Sequence, residues 1–429
     1  MIEYAPKEDW TMTPAPVRYL IKAITLLPIL ICRQLSKLMP RDQNRIAIGA
    51  WYGNFYSDNP KYLTEYLLKH TNHQIFWLGN KQMSKGLPQR PNLHFVQKGT
   101  WRAYWTLLRS KFWFCCTGRG VDLTRLPLHG GAVTINLWHG TPSGKRSDHN
   151  TVWDKSSPLG KGIRGTLERA YTFIISGQRD WLTVANDSEA ATLSKGFPAY
   201  FSTDKALKTG TPRYDYLIQN ANNTNYIFTL KEKYAKILNF DPRRKIISYM
   251  PTWRNAGGKI FSFYNLPKTE QTDLKRLLDS QNTVLIEKHH VHTYELFPPP
   301  SDSICSIAVK SELQSQLDTQ ELLLISDILI TDYSSIYVDF GAISRPTIHY
   351  VYELDEFTRE DTGIPDNFEE IAGGPIVYDL QALKQETTRL LQNPAFEPGS
   401  KFSMLTKYET GHACENLIAF MHEASSASH

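Results

Sequence analysis

Residues 322–350 constrain the fold of this chain more than any other stretch. Their sequence, LLLISDILITDYSSIYVDFGAISRPTIHY, contains an apolar run, a short β-branched segment, a polar loop and a second apolar run of helical length. The pattern predicts helix, strand, tight loop, helix and strand. The loop would then lie at the carboxyl end of a parallel strand and the amino end of a helix, where unpaired N–H groups and the helix dipole favour an anion.

The polar loop also carries hydroxyl groups at this predicted position. Ser334 and Ser335 follow Thr331 and Asp332, with Tyr333 between them. Since both serines can donate hydrogen bonds, the loop predicts a phosphate site. The alternative interpretation is that Asp332 and the serines only cap the helix.

The length and composition indicate a globular protein with more than one domain. A chain of 429 residues is too long for one ordinary hydrophobic core, and its 41% apolar and 21% charged residues are typical of globular proteins. The net charge of +5 is mild and does not indicate nucleic acid as a partner. Five cysteines without CxxC spacing imply neither a disulfide framework nor a zinc knuckle, and they favour a reducing cytoplasm.

Residues 1–42 are expected to form a segment that lies on a membrane surface. The first residues are polar and acidic, unlike a secretory signal, and residues 17–39 have helical periodicity with two faces. The uninterrupted apolar part is shorter than the roughly 20 residues that span a bilayer, so an amphipathic helix in the interface of an anionic membrane is predicted. The alternative is an ordinary packed helix that is kinked at Pro28. One stripe is basic, with Arg18, Lys22, Arg33 and Lys37, and the opposite stripe is apolar, with Leu20, Ile24, Leu27, Ile31, Leu35 and Leu38.

Strand and helix patterns alternate from residue 45 onwards, as in a doubly wound α/β sheet. We therefore expect two Rossmann-like domains that face a central cleft, at 43–220 and 221–400, followed by a helix and tail at 401–429 that returns to the first domain. The Gly- and Pro-rich turn from Gly210 and the polar run after it suggest the boundary. Strands are predicted at 45–50, 74–78, 93–96, 111–116, 133–138, 173–176, 245–250, 283–287 and 328–331, and a helical stretch is predicted at 177–193.

A histidine follows the predicted strand at 133–138. Residues 139–146 read HGTPSGKR, so His139 would lie at the carboxyl end of a strand, where open α/β sheets bind ligands. An imidazole can remove a proton from a hydroxyl, and Lys145 and Arg146 could hold an anionic substrate. A lone histidine is more often a capping or packing residue, but this glycine-rich and basic context favours a function.

Three strand ends of the second domain carry polar groups. Arg254 follows the strand at 245–250, His289 and His290 follow the strand at 283–287, and the serine loop follows the third. Neighbouring residues of an extended chain point to opposite sides, so the two histidines poorly fit one zinc site, and one histidine facing a donor phosphate is the better prediction. These groups should share one sheet edge, with His139 facing them.

Several motifs together resemble the CDP-glycerol glycerophosphotransferase family, the teichoic-acid primases and polymerases. The resemblance spans residues 45–400 and implies a GT-B fold, with an acceptor domain first and a nucleotide-donor domain second. It implies transfer of glycerol or ribitol phosphate from a CDP-polyol to a hydroxyl of a membrane-associated acceptor, with release of CMP. The motifs are Tyr56-Ser57-Asp58-Asn59-Pro60, His139-Gly140-Thr141-Pro142, Gly210-x-Pro212-Arg213-x-Asp215, Pro251-Thr252-Trp253-Arg254 and Thr331-Asp332-Tyr333-Ser334-Ser335.

The resemblance also implies roles for individual residues. His139 would be the general base, with Gly140 and Thr141 beside the acceptor or phosphate. Ser334 and Ser335 would bind the donor pyrophosphate. The remaining donor residues would be Thr252, Arg254, Thr331, Asp332 and one of His289 and His290, of which His289 is preferred.

Other positions fit the family pattern less closely. Arg213 and Asp215 belong to a motif without an assigned role. The chain departs from the family's His-Pro pair after the strand at 283–287, and from its late glycine signatures at Thr362-Gly363 and Gly373-Gly374-Pro375. The departures concern the polyol and acceptor end of the site more than its nucleotide end.

The implied partners are a CDP-polyol donor, a lipid-linked glycan or a teichoic or capsular polymer as acceptor, and an anionic membrane surface. The enzyme would lie peripherally on the cytoplasmic face of the cell membrane. No cofactor is expected to be required, although magnesium is compatible with the sequence. Two alternatives are a GT-B glycosyltransferase that uses a nucleotide sugar and a non-catalytic, membrane-bound nucleotide or polyanion binder. The sequence leaves open glycerol or ribitol, and primase or polymerase.

Overall fold

The chain divides into two compact units. The computed structural model describes residues 15–141, 153, 155, 161–252, 260–289, 303–310, 313, 316–360 and 367–426. The first unit comprises Met1–His139, Ser147–Asp215 and Tyr408–His429, and the second comprises Gly140–Arg146 and Tyr216–Lys407. The division thus falls after Asp215 rather than near residue 220, and the chain from Tyr408 returns to the first unit, as predicted.

The first unit is built on a seven-stranded parallel sheet. Its order is β3-β2-β1-β4-β5-β6-β7, which is the Rossmann order with one added strand. β1, β2, β4 and β5 are largely buried, as expected of a parallel sheet covered on both faces. The strands are β1 Asp42–Gly49, β2 Gln74–Gly79, β3 Leu93–Gln97, β4 Ser110–Cys115, β5 Val133–Asn136, β6 Trp181–Thr183 and β7 Ala206–Leu207.

Eight α-helices accompany this sheet in the described first unit. The last of them, near the carboxyl terminus, packs Leu417 and Met421 into the same core as Ile46 and Trp77. This packing explains why the end of the chain belongs to the first unit. The helices are α1 Ala15–Lys37, α2 Asp58–His70, α3 Trp101–Arg109, α4 Arg119–Asp122, α5 Gly162–Ser176, α6 Asp187–Gly196, α7 Pro212–Asn220, which ends in the second unit, and α15 Ala413–Ser426.

The second unit repeats the Rossmann order in six parallel strands, β10-β9-β8-β11-β12-β13. The predicted succession of helix, strand, loop, helix and strand at 322–350 is confirmed, although the helix after the loop has only six residues. The strands are β8 Lys245–Tyr249, β9 Thr283–Glu287, β10 Ile307–Ala308, β11 Ile328–Thr331, β12 Thr347–Tyr350 and β13 Ile376–Val377. The described helices are α8 Thr224–Leu238, α9 Lys268–Ser280, α10 Thr319–Ile325, α11 Ile336–Gly341, α12 Leu354–Glu360, α13 Phe368–Ile371 and α14 Leu380–Gln392.

The strand predicted at 173–176 is wrong. These residues form the last turn of α5, which ends where Gly177 adopts a φ of 74°. A short apolar run cannot by itself distinguish a strand from the end of a helix. The predicted helical stretch at 177–193 instead contains β6 and most of α6, because Asn186 caps α6 through a bond from the Glu189 N–H to its side chain.

The amino-terminal helix α1 packs through its polar stripe rather than its apolar one. Lys22 forms an ion pair with Glu168 of α5, and Arg33 Nη1 donates to the Ile174 carbonyl oxygen at 2.8 Å. The apolar stripe is exposed, with 64% of Leu27 accessible to solvent. Lys22 and Arg33 are thus engaged inside the first unit, and the predicted contact of the helix with an anionic membrane stays a prediction.

The same helix is also longer than the predicted apolar segment. The segment Tyr19–Lys37 is long and apolar enough, by length and composition, to cross a membrane. Only 6% of its most apolar stretch of 18 residues is buried. The uninterrupted apolar part of this helix is shorter than a membrane span, whereas the whole helix is long enough, so the prediction from that part alone underestimated its length. Such a helix near the amino terminus is weak evidence of membrane association.

Candidate active site

Two loops of the first unit meet where its strand order reverses, after β1 and β4. Open α/β sheets bind ligands at such a point. After β1, Trp51 and Tyr52 adopt left-handed φ angles of 46° and 61°. Asp122 Oδ1 accepts a hydrogen bond from Tyr52 N at 2.9 Å, and Asp122 Oδ2 accepts from Cys116 N and Thr117 N at 2.9 and 2.7 Å. One buried carboxylate thus joins the two loops.

His139 lies beside these loops because β5 ends earlier than predicted. Asn136 Oδ1 accepts a hydrogen bond from Trp138 N at 2.8 Å, and Trp138 adopts a φ of 54°, so the strand stops at Asn136 rather than at Trp138. The His139 Nδ1 atom lies 3.0 Å from the Cys116 carbonyl oxygen. Because a carbonyl can only accept, Nδ1 carries the proton and Nε2 has the lone pair.

The surroundings of His139 keep its ring neutral near pH 7. The ring is half-buried, and its centroid lies 5.3 Å from that of Trp51 and 4.7 Å from that of Trp138. Burial lowers the pKa of His139 below its ordinary 6.5, although the bond to the Cys116 carbonyl and the charge of Asp58 oppose the shift. A neutral imidazole with a known tautomer can accept a proton from a hydroxyl.

Arg213 connects two of the motifs found in the sequence. Its Nη1 atom donates to the His139 carbonyl oxygen at 2.7 Å and to Asp58 Oδ1 at 3.0 Å. Its backbone N donates to Asn59 Oδ1 at 2.9 Å, and Asn59 Nδ2 donates to the Trp138 carbonyl oxygen at 3.0 Å. These bonds hold the backbone of His139 from both sides, so the motif with Arg213 positions the histidine.

Asp215 has a structural role in the first unit. Its two carboxylate oxygens accept hydrogen bonds from Ala413 N and Cys414 N at 2.8 and 2.7 Å, at the first turn of α15. Within the same motif, Thr211 N donates to Glu409 Oε2 at 3.0 Å. The segment at 210–215 therefore attaches the carboxyl-terminal chain to the elements around His139.

The second unit has a similar carboxylate between β8 and β11, where its strand order reverses. Asp332 is fully buried, and its Oδ1 atom accepts from Thr252 N at 2.8 Å and from Tyr333 N at 2.6 Å. Thr331 Oγ1 donates to the Met250 carbonyl oxygen at 2.6 Å. Thr331, Asp332 and Thr252 thus shape the loop through hydrogen bonds within the protein.

Ser334 and Ser335 are the least buried residues of this loop. Both residues are half-buried, and neither hydroxyl has a hydrogen-bond partner within the described part of the chain. α11 begins at the next residue but is only six residues long, so its dipole is weaker than the sequence pattern suggested. The two hydroxyls therefore stay the predicted phosphate-binding groups of this loop.

His289 lies inside the second unit, with 1% of its surface exposed. Its Nε2 atom is 2.8 Å from Glu287 Oε1 and 3.2 Å from Ser262 Oγ. Glu287 also accepts hydrogen bonds from Ser306 Oγ and from the backbone of Phe263. The Nδ1 atom of His289 is buried as well, and the preference for His289 over His290 stays a prediction.

Four of the predicted site residues lie outside the described residues, namely Arg254, His290, Lys145 and Arg146. Gly140 and Thr141 follow His139 directly, and Thr141 is buried. Within the described ranges, no group of three or more His, Cys, Asp or Glu residues has the arrangement of a metal site.

Two residues of the first unit that contact the His139 region were not predicted from the sequence. Trp51 contacts the imidazole, and Asp122 holds the loop that carries its hydrogen-bond acceptor. Asp122 lies in a short helix without a recognisable motif, so no sequence signal could have identified it. The tryptophan follows a predicted strand end, which was the one available signal.

Comparisons with known proteins agree with these motifs. The family model described as CDP-Glycerol:Poly(glycerophosphate) glycerophosphotransferase matches residues 31–421. The chain is 31% identical over 354 residues to a teichoic acid glycerol-phosphate transferase of Staphylococcus aureus, a match that covers 81% of this chain and 84% of that protein. It is 25% identical over 400 residues to a teichoic acid poly(glycerol phosphate) polymerase of Bacillus subtilis. That match covers 90% of this chain and 49% of the polymerase, so the chain spans about half the length of that relative.

A solved structure shows the same fold. The wall teichoic acid polymerase TagF superposes with a TM-score of 0.72 and 22% sequence identity, covering 96% of this chain and 99% of that chain. Together with the two Rossmann strand orders, this likeness confirms the predicted GT-B class. The match of the family model over most of the chain shows that this protein belongs to the CDP-glycerol:poly(glycerophosphate) glycerophosphotransferase family.

Proposed function

We propose that this enzyme transfers a polyol phosphate, glycerol or ribitol phosphate, from a CDP-polyol to an acceptor hydroxyl and releases CMP. The observation that carries the proposal is the neutral, oriented imidazole of His139 in a member of this family. The relatives named above act on glycerol phosphate in teichoic acid. We infer that the acceptor is a lipid-linked glycan or a teichoic or capsular polymer.

The first unit would activate the acceptor. His139 Nε2 accepts the proton of the acceptor hydroxyl, and the oxygen attacks the phosphorus that carries the polyol. A P–O bond to the acceptor forms while the P–O bond to CMP breaks, and CMP leaves with the electron pair. The imidazolium that forms has Asp58 in its electrostatic surroundings, which favours the charged ring. A base of this kind contributes about 10²- to 10⁴-fold.

The second unit would hold the donor. The hydroxyls of the half-buried Ser334 and Ser335, in the loop after β11, can donate to pyrophosphate oxygens as charge develops on CMP. Transfer of a phosphoryl group depends mainly on positioning and charge stabilisation. We propose that no cofactor is required and that added magnesium leaves the rate unchanged.

We also propose that the enzyme lies peripherally on the cytoplasmic face of the cell membrane, where its acceptor is anchored. The support is the exposed apolar stripe of α1, which includes Leu27, Ile31 and Leu35. An apolar helix face of this kind binds at the boundary between lipid headgroups and acyl chains. The basic residues Lys22 and Arg33 are engaged with α5, so the apolar face would supply most of the affinity.

The deciding experiment measures CMP release with a lipid-linked acceptor from CDP-glycerol, CDP-ribitol and a panel of sugar nucleotides. We expect turnover of one CDP-polyol, with or without EDTA, and a loss of about 10²-fold or more in His139→Ala. The matched control is His94→Ala, because His94 is another histidine of the first unit, partly exposed, and bonds only to Gln74 among the described residues.

Each other outcome has a definite meaning. Consumption of a sugar nucleotide alone would replace the proposed reaction with glycosyl transfer. Full activity in His139→Ala would remove the histidine from its role as base. A rate that requires magnesium would contradict the proposed independence from a cofactor.

A further inference from the structure

Asp122 is a buried carboxylate that contacts no predicted site residue, yet it connects both loops beside His139. It is completely buried at the end of α4, and it accepts four backbone hydrogen bonds. One is from Tyr52 N after β1, at 2.9 Å, and three are from the loop after β4, at 2.7 to 3.3 Å. A carboxylate has enough lone pairs for all four donors, whereas an amide does not.

Both loops held by Asp122 touch the His139 ring. The loop after β4 provides the Cys116 carbonyl, 3.0 Å from His139 Nδ1, which selects the tautomer with the lone pair on Nε2. The loop after β1 provides the Trp51 ring at 5.3 Å. Trp51 and the next residue adopt left-handed φ angles, a conformation that persists only where the surroundings enforce it.

We propose that Asp122 is a positioning residue for the general base: its carboxylate holds the two loops that fix the orientation and the tautomer of His139. The inference rests on the proposed function, since it needs His139 to be the base. Asp122 itself is too deeply buried to bind substrate, and it acts through backbone groups only.

The charges around His139 make the proposal measurable. Three charged groups contribute to its environment, Asp58 from α2, Arg213 from α7 and Asp122 from α4. Burial lowers the pKa of the imidazole, and the negative charge of Asp122 partly opposes this. Burial also raises the pKa of Asp122, against which its four N–H donors act. Removing the Asp122 charge should therefore lower the pKa of His139 further.

The first test does not depend on catalysis. The His139 imidazole is titrated by NMR in the full-length native protein and in Asp122→Asn, with His139→Gln used to assign its signal. We expect a lower pKa in Asp122→Asn and a mixture of the two neutral tautomers, because the Cys116 carbonyl is no longer held. An unchanged titration and a single tautomer would overturn the proposal, even if His139 proves to be the base.

The second test measures kinetics against pH. In Asp122→Asn we expect kcat to fall on the order of 10- to 100-fold, KM for the CDP-polyol to stay unchanged, and the acidic limb of kcat/KM to move to lower pH. The control is Asp180→Asn, another buried carboxylate of the first unit, which pairs with Arg119 and Thr134. It should lower stability without moving the acidic limb.

The outcomes separate this proposal from the function on which it rests. Equal losses in both variants, in proportion to the folded fraction, would reduce Asp122 to a structural residue. Absence of turnover of any CDP-polyol by the native enzyme would contradict the proposed function but leave the NMR result able to support or overturn the positioning of His139.

Discussion

His349 is enclosed at the end of β12, and each of its ring nitrogens has a backbone partner. Gly373 N donates to Nε2 at 2.9 Å, so Nε2 must be unprotonated, and Nδ1 lies 2.9 Å from the Asp332 carbonyl oxygen, to which it donates. Burial lowers the pKa of His349 to about 4. The neutral ring therefore supports the loop after β11 from behind, next to the backbone of Asp332.

The buried neutral His349 makes stability depend on pH. Between about pH 6.5 and 4 the unfolded chain protonates this histidine and the folded chain does not, so its share of stability is lost as the pH falls through that window. The difference between the two pKa values corresponds to a loss of about 3 kcal/mol in the free energy of unfolding. We expect the advantage in unfolding free energy of the native protein over His349→Gln to shrink from pH 7 to pH 4 in urea titrations. Parallel pH dependences of the two proteins would contradict this.

At the scale of elements, Gly210 allows the carboxyl-terminal chain to pack closely against the motif segment at 210–215. Its φ is 73°, and a Cβ added there would lie 2.5 Å from the Tyr408 carbonyl oxygen. The close approach places Tyr408 and Glu409 against the segment that continues into α7. A glycine is needed here for both its conformation and its size.

We expect Gly210→Ala to loosen the carboxyl-terminal chain from the first unit. The substitution places an alanine in a left-handed conformation and makes its Cβ clash with the backbone. We therefore expect the free energy of unfolding to fall by more than about 1 kcal/mol and proteolysis within residues 408–426 to become faster. Gly99→Ala is the matched control, since Gly99 has a φ of 76° but no atom within 4 Å of an added Cβ. If the two variants behave alike, the close approach has no energetic role.

The exposed stripe of α1 gives a prediction for membrane binding. Leu27→Glu with Ile31→Glu introduces charge at positions that are 64% and 50% exposed, and it should release the protein from vesicles in flotation assays. Phe228→Glu, at a 46% exposed position of α8, is the control and should still bind. Because Lys22 and Arg33 contact α5, neutral and anionic vesicles should differ little. Equal flotation of all three proteins would exclude α1 as the binding face.

At the scale of the whole molecule, two Rossmann sheets with separate hydrophobic cores carry the predicted base and the predicted donor loop. His139 follows β5 of the first sheet, and Ser334 follows β11 of the second. Each residue lies at the carboxyl edge of its sheet, near the point where the strand order reverses. In both units a buried aspartate, Asp122 or Asp332, bonds the loops on either side of that reversal.

The separate cores predict that a donor nucleotide protects mainly the second unit. Saturating CDP-glycerol or CDP-ribitol at about 100 times its Kd should stabilise it by about 2.7 kcal/mol, visible as slower hydrogen exchange around the loop after β11. Ser334→Ala with Ser335→Ala should weaken the protection, whereas Ser280→Ala, at the end of α9, should not. Protection confined to the first unit would contradict the assignment of the donor domain.

The fold class and much of the candidate site could be predicted from local sequence alone. β-branched runs and helical periodicity identified most strands, because the residues that form a strand or a helix are neighbours in the chain. His139, Arg213 and the loop at 331–335 were identified in the same way, from motifs at predicted strand ends. The mistake at 173–176 came from the same source, since a four-residue apolar run suits a strand and a helix end equally.

Tertiary structure alone decided how those residues are held. Asp122 bonds Tyr52, and Asp215 bonds Ala413, across separations in sequence that no local pattern encodes. The periodicity of α1 defined two stripes but could not say which would pack, because that depends on Glu168 and the Ile174 carbonyl of a distant helix. The sequence by itself determined the elements and the reactive groups, whereas the orientation of each group depended on long-range hydrogen bonds and ion pairs that exist only in the folded chain.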